Sequence, residues 1–264
     1  MIITGTAFRT HDLQWLKKKY RELNFDKVVF EDMTDDFAVF GIWGPKAREI
    51  LAEVTRYDLS NENFPFMHSR QITVAGVQIR ATRITYVGEL GWELYVPVLN
   101  GATVWNALYE AGQPLGLMEC GYRAIESLRL EKGYRAWASE INSETDPYEA
   151  GLGFAVSKKK QDFIGKSALE KKIATRTLVA ILFADIRQVP LGNEPIRFNG
   201  EIIGRIKTGG QGYTLSKAIG YAYLPISASK VGTQFDVEFF GEWHQGVVHA
   251  EPLYDPQGVS IKGE

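Results

Sequence analysis

Ile196-Arg197-Phe198-Asn199-Gly200-Glu201-Ile202-Ile203 is the stretch on which the fold turns. Asn-Gly between two apolar runs is a strong hairpin signal, because both central residues of the tight turn take positive φ. Around it lie Thr177–Phe183, Ala218–Leu224, Gln234–Phe240 and Gly246–Ala250, short apolar runs separated by glycine-rich turns with no convincing helix. That grammar predicts a small antiparallel β-barrel, with Gly209-Gly210-Gln211-Gly212 as one of its tight turns.

Upstream, strands and helices mix. Met1-Ile2-Ile3 reads as a strand, and Thr10 as the N-cap of a helix with Asp12 in its first turn. Leu13, Leu16, Tyr20 and Leu23 recur along it at helical spacing. Val28–Glu31 reads as a second strand. Phe37–Trp43 reads as a third, too continuously apolar for an exposed edge. Gly44-Pro45 ends it, and Ala47, Ile50, Leu51 and Val54 mark a helix.

Val77, Ile79 and Ala81 then alternate with polar residues. Ile84 and Tyr86 fall one position out of phase, which a β-bulge near Thr82-Arg83 explains. Trp92–Val96 runs back, and helices cover about Ala102–Ala111 and Tyr122–Glu131. The element order repeats in outline, without a residue-level repeat. The expected fold is α+β: two related strand-helix halves, the first lacking its start, then a small antiparallel barrel. The boundary is expected near residue 172, giving units over 1–172 and 173–264.

Composition narrows the functional classes. The 264 residues carry 30 basic and 32 acidic side chains, a net charge of −2, with no global attraction to nucleic acid or to an anionic membrane. No apolar run approaches the roughly 20 residues of a membrane span, and the start lacks the pattern of a signal peptide. A soluble, cytoplasmic protein is expected. The one cysteine, Cys120, excludes an internal disulfide and is expected to be buried and inert. His11, His68, His244 and His249 are scattered, so no metal site is expected. No dinucleotide, Walker or nucleophile-elbow motif is found.

Two stretches carry candidate chemistry. Tyr86-Val87-Gly88-Glu89-Leu90-Gly91-Trp92-Glu93 gathers two carboxylates and two aromatics around one turn. A carboxylate accepts two parallel hydrogen bonds from a ring N–H and its exocyclic amine, and a neighbouring aromatic offers a flat face. A plain hairpin with solvated glutamates fits the same residues. In Gly121–Trp137, the charged Glu126, Arg129, Glu131 and Lys132 fit either surface ion pairs or a brace behind a site.

These stretches, with Pro147–Leu152 and Asp162–Lys166, resemble the glycine-cleavage aminomethyltransferase (T-protein) family. The opening Gly5–Asp12 and closing Glu251–Pro256 resemble its dimethylglycine/sarcosine dehydrogenase branch. The resemblance implies tetrahydrofolate as ligand and a small amine-derived one-carbon donor of glycine, dimethylglycine or sarcosine type. By position, Glu93 matches the glutamate that grips the pterin edge, Tyr86 stands beside it, and Tyr254 matches a C-terminal tyrosine near the ligand. Glu89 and Arg123 are further candidates.

Two departures from the family pattern stand out. Ile125 replaces an arginine. The family's catalytic aspartate lies upstream of the position matching Met1, so no catalytic residue is assigned; Asp35 and Asp36 match a turn and do not replace it. No flavin region is expected. The alternative is a non-catalytic folate-binding or assembly module, self-associating or completed by a partner chain at the uncovered edge.

Overall fold

The computed structural model describes residues 1–24 and 27–263. The first helix, α1 (Arg9–Glu22), buries no residue fully. Its N-cap is Phe8, so Thr10 lies inside the helix and Asp12 instead accepts from Thr4 and pairs with His11. Neither Met1–Ile3 nor Val28–Glu31 is a strand. Each is an apolar run with no ladder partner among the described residues, and Val29 is 93% exposed.

A four-stranded antiparallel sheet follows, ordered β1-β4-β3-β2, from β1 (Phe37–Trp43), β2 (Ser69–Val74), β3 (Val77–Thr82) and β4 (Gly91–Pro97). Strand alternation sets its two faces. Phe40 and Ile42 lie opposite Leu94 and Trp92, and with Ile72, Val74, Ile79 and Ala81 they build the core. Two helices cover that face, α2 (Ala47–Val54) through Ile50 and Leu51, and α3 (Gly101–Gly112) through Val104 and Leu108.

Two expectations change here. Among the described residues β1 is an edge strand despite its apolar run, with Val39 and Gly41 exposed. No bulge continues β3 past Thr82. The chain leaves the ladder there, and the Arg83 amide donates to His68 O.

The helices α4 (Tyr122–Lys132) and α5 (Lys166–Lys171) lead to the barrel. It comprises β5 (Arg176–Phe183), β6 (Pro195–Phe198), β7 (Glu201–Gly212), β8 (Lys217–Pro225), β9 (Gln234–Phe239) and β10 (Glu242–His249). These close in the order β10-β5-β8-β7-β6-β9. Val179, Ile181 and Phe183 share its core with Ala222, Leu224 and Val237. The Asn199-Gly200 hairpin is present, with φ of 51° and 87°. A short helix, α6 (Val259–Lys262), ends the chain. No helix among the described residues is long and apolar enough to cross a membrane.

The glycine run 209–212 is not a turn. It lies within β7, and its missing side chains let that strand approach α4. A Cβ on Gly210 would fall 2.9 Å from Leu130 Cδ1, and one on Gly212 3.0 Å from Glu131 Oε1. Ser127 Oγ donates to Gln211 O at 2.6 Å across the same junction. Cys120, expected to be buried, is exposed in the loop before α4; a small apolar side chain is not drawn inside where the backbone around it stays at the surface.

Candidate functional site

The stretch linking β3 to β4 is docked onto the C-terminal end of α4. Tyr86 stacks on Tyr134, with ring centroids 5.8 Å apart and an interplanar angle of 11°, and donates its hydroxyl to Arg135 O at 2.9 Å. Burial, with the carboxylates of Glu140 and Glu126 nearby, pushes the Tyr86 phenol above its ordinary value, against the opposing pull of Arg129. Its hydroxyl therefore stays protonated. Gly88, at φ 77°, rests on the Lys132 stem, where a Cβ would come 2.9 Å from Cδ. Glu89 Oε1 accepts from Tyr254 at 2.6 Å, and that bond raises the tyrosine's pKa.

Gly133 caps α4 in the left-handed region at φ 76°, and the charged residues around this end are buried. Arg129, 1% exposed, pairs with Glu140 at 2.7 Å and with Glu126, and donates to Tyr134 O at 3.0 Å. Lys132 donates to Asp255 O and Oδ2 at 2.6 and 3.0 Å. Arg135 makes a two-pronged pair with Glu251 at 2.9 and 2.6 Å, its guanidinium lying over the Tyr221 ring. Glu131 Oε1 accepts from the Thr214 and Leu215 amides. Arg83, also buried, reaches from the first unit to Lys262 O at 2.7 Å. Arg129, Glu131 and Lys132 are thus buried at the junction rather than paired in water, while half-buried Glu126 makes an i,i+3 helix pair with Arg129.

Glu93 sits apart from this junction, on the sheet face that α2 and α3 leave open. Its β-ladder neighbours are Gly41 and Thr82. Tyr95 donates its hydroxyl to Glu93 Oε2, while Oε1 has no protein hydrogen bond among the described residues. Burial and then that bond push the Tyr95 phenol well above its ordinary value. The space a side chain at Gly41 would fill holds the Trp43 indole, whose ring would lie 2.3 Å from such a Cβ. Trp43 is pinned by its Nε1–H donating to Ile84 O at 3.0 Å.

Tyr86, Glu89 and Tyr254 are thus brought to one junction, while Glu93 occupies the adjoining sheet face. Arg123 is exposed in the first turn of α4, with no ion pair among the described residues. Trp92, one of the two aromatics read around the turn, is fully buried on the core face and offers no stacking surface. The Trp43 indole instead lies over Gly41, the ladder partner of Glu93; its position two residues after Gly41 in an alternating strand was the signal. The buried Arg129–Glu140 pair and the Arg135–Glu251 pair left no mark in the spacing, because neither falls at an i,i+3 or i,i+4 interval within one helix. Among the described residues no group of His, Cys, Asp and Glu side chains is arranged to hold a metal ion.

Comparison with known proteins agrees with this architecture. Residues 1–160 match the GCVT N-terminal domain and residues 176–255 the glycine cleavage T-protein C-terminal barrel domain. Mitochondrial dimethylglycine dehydrogenase of Homo sapiens is 38% identical over 96% of the chain, which spans 30% of that enzyme's length. An aminomethyltransferase of Symbiobacterium thermophilum is 36% identical over 96% of the chain and 68% of its own length. The crystal structure of glycine cleavage system aminomethyltransferase T from Bartonella henselae superposes with a TM-score of 0.79 at 25% identity, covering 94% of this chain and 67% of that one. With both domains matched in order and the relative's length largely spanned, the chain belongs to the glycine cleavage T-protein (aminomethyltransferase) family.

Proposed function

We propose that the chain binds tetrahydrofolate, with Glu93 gripping the pterin edge, and serves the transfer of a one-carbon unit to it from a small amine of glycine, dimethylglycine or sarcosine type. The observation that carries this reading is the state of the Glu93 carboxylate. One oxygen is oriented by Tyr95 and the other is left to accept, beside the flat wall of Trp43. An accepting carboxylate of this kind fits the donors of a ring N–H and amine edge. The bound folate supplies the acceptor for the one-carbon unit. The hydroxyls of Tyr86 and Tyr254 are already engaged by Arg135 O and Glu89. Their part, with Glu89, is to hold the β3–β4 connection in place next to Glu93, and exposed Arg123 is the candidate cation for the anionic end of the ligand.

Calorimetry with tetrahydrofolate on the wild type and on Glu93→Gln tests this. Losing a hydrogen bond to a charged acceptor costs about 1.5–3 kcal/mol, a rise in Kd of about tenfold to a hundredfold. No binding by the wild type, or equal binding by both, removes Glu93 from the site.

A second reading, an assembly module, is favoured by the surface around β1. This seven-residue edge strand carries no charge and no proline, and its Val39 stands exposed. Apolar edges of this kind pair readily with another chain. Light scattering at micromolar concentration should then report a dimer or larger species, and a clean monomer would count against self-association.

A further inference from the structure

A groove of about 570 Å³ crosses the outside of the barrel, where the start of β5, the middle of β7 and the end of β8 come together. Arg176, Arg205 and Lys207 line it with Tyr223, Ile202 and Pro225, and no carboxylate side chain does. One wall is charge-balanced from beneath. The Arg176 guanidinium lies 4.9 Å from the Tyr223 ring centroid and donates through Nε and Nη2 to Glu149 Oε2 at 3.2 Å. Lys172 shares the same buried acids, 2.9 Å from Asp146 and 3.5 Å from Glu149. Two carboxylates therefore offset two cations there.

The opposite wall has no such offset. Arg205 donates to the backbone carbonyl of Asn193 at 2.8 Å, which carries no charge. Lys207 forms no ion pair among the described residues. It is the extra residue of a β-bulge, since Ile206 faces Ala222 and Thr208 faces the next residue back, Tyr221. Bulges re-aim side chains out of the regular ladder, and here the result places a second uncompensated cation beside Arg205. A planar guanidinium and a mobile ammonium across from a fixed, stacked arginine form a receptor for anionic oxygens. Ile202 and Pro225 give it an apolar rim.

We propose that this groove binds a small ligand carrying two or more anionic groups, phosphate or carboxylate, at a site separate from the one at Glu93. Two uncompensated cations call for more than one negative charge, and the exposed position makes the attraction sensitive to salt. The full chain would be titrated calorimetrically with inorganic pyrophosphate and, separately, with citrate. Saturable binding of either is expected, and the one that binds assigns phosphate or carboxylate as the preferred group. Arg205→Gln combined with Lys207→Gln should weaken it at least about tenfold, the loss of one charge-assisted hydrogen bond or more. Both positions are solvent-facing, so the thermal melt of the double variant should match the wild type. Tetrahydrofolate titration of the double variant should also be unchanged. The proposal is overturned if neither anion binds saturably, if the variant binds as well as the wild type, or if the variant loses folate to the same degree as the anion.

Discussion

Arg129→Met should lower the free energy of unfolding by about 3–5 kcal/mol, the range for removing one partner of a buried ion pair. The cost arises less from the lost attraction than from what remains. Glu140, 2% exposed, would be left in a dry site with only the Ala136 amide donating to it. Methionine fills much of the arginine's volume, so the change isolates charge from packing. The effect should reach beyond α4, because Arg129 also holds Tyr134 O and Tyr134 carries the stacked Tyr86 ring. Chemical denaturation should show a lowered midpoint with little change in slope. Arg129→Met combined with Glu140→Gln should recover part of the loss, since the one carboxylate then left without its partner is Glu126, which water reaches; an Arg129→Met variant as stable as wild type would contradict the structural role of the pair.

Lys132→Met should cost about 3 kcal/mol, the low end of the same range, and should change how stability depends on pH. Lys132 is the anchor for residues 254–255: it reaches Asp255 through the carboxylate and the backbone carbonyl, and it lies 5.7 Å from the Tyr254 ring centroid. Burial opposes ionisation of Asp255, but the hydrogen bonds from Lys132 and from the Val259 and Ser260 amides hold its carboxyl below the ordinary 3.8. A depressed carboxylate pKa contributes stability that is fully present above the unfolded value and is lost as pH falls through the folded one. The wild type should therefore lose stability below about pH 4, and the variant should show a smaller drop over that window. Parallel curves for the two proteins would mean that Asp255 is not the linked group.

The sequence disclosed those parts of the fold that local chemistry decides. Asn199-Gly200 names its own turn, and Val77, Ile79 and Ala81 show which face of β3 is buried. Contacts between distant segments decide the rest. Met1–Ile3 and Val28–Glu31 have strand composition but no partner among the described residues, and composition cannot supply one. Gly209-Gly210-Gln211-Gly212 looks like a turn until α4 is laid across it. The close approach then explains why side chains are missing.

The candidate site divides in the same way. Tyr86, Glu89 and Glu93 drew notice because they crowd one turn, but the roles proposed for Tyr86, Glu93 and Tyr254 came from resemblance to relatives. Alternation puts Trp43 on the face of Gly41, but which of Trp43 and Trp92 is left uncovered depends on which face of the sheet the helices cover. The charged face of α4 gave no sign of burial because helical spacing is the same beneath a barrel as in water.

The central claim is that Glu93 holds the ligand. A crystal structure of the chain with tetrahydrofolate tests it most directly. The expected result is a pterin edge within hydrogen-bonding distance of the Glu93 carboxylate, beside the Trp43 indole and next to the Tyr86–Tyr254 junction. A pterin bound elsewhere, with Glu93 contacting only Tyr95 and solvent, would contradict it.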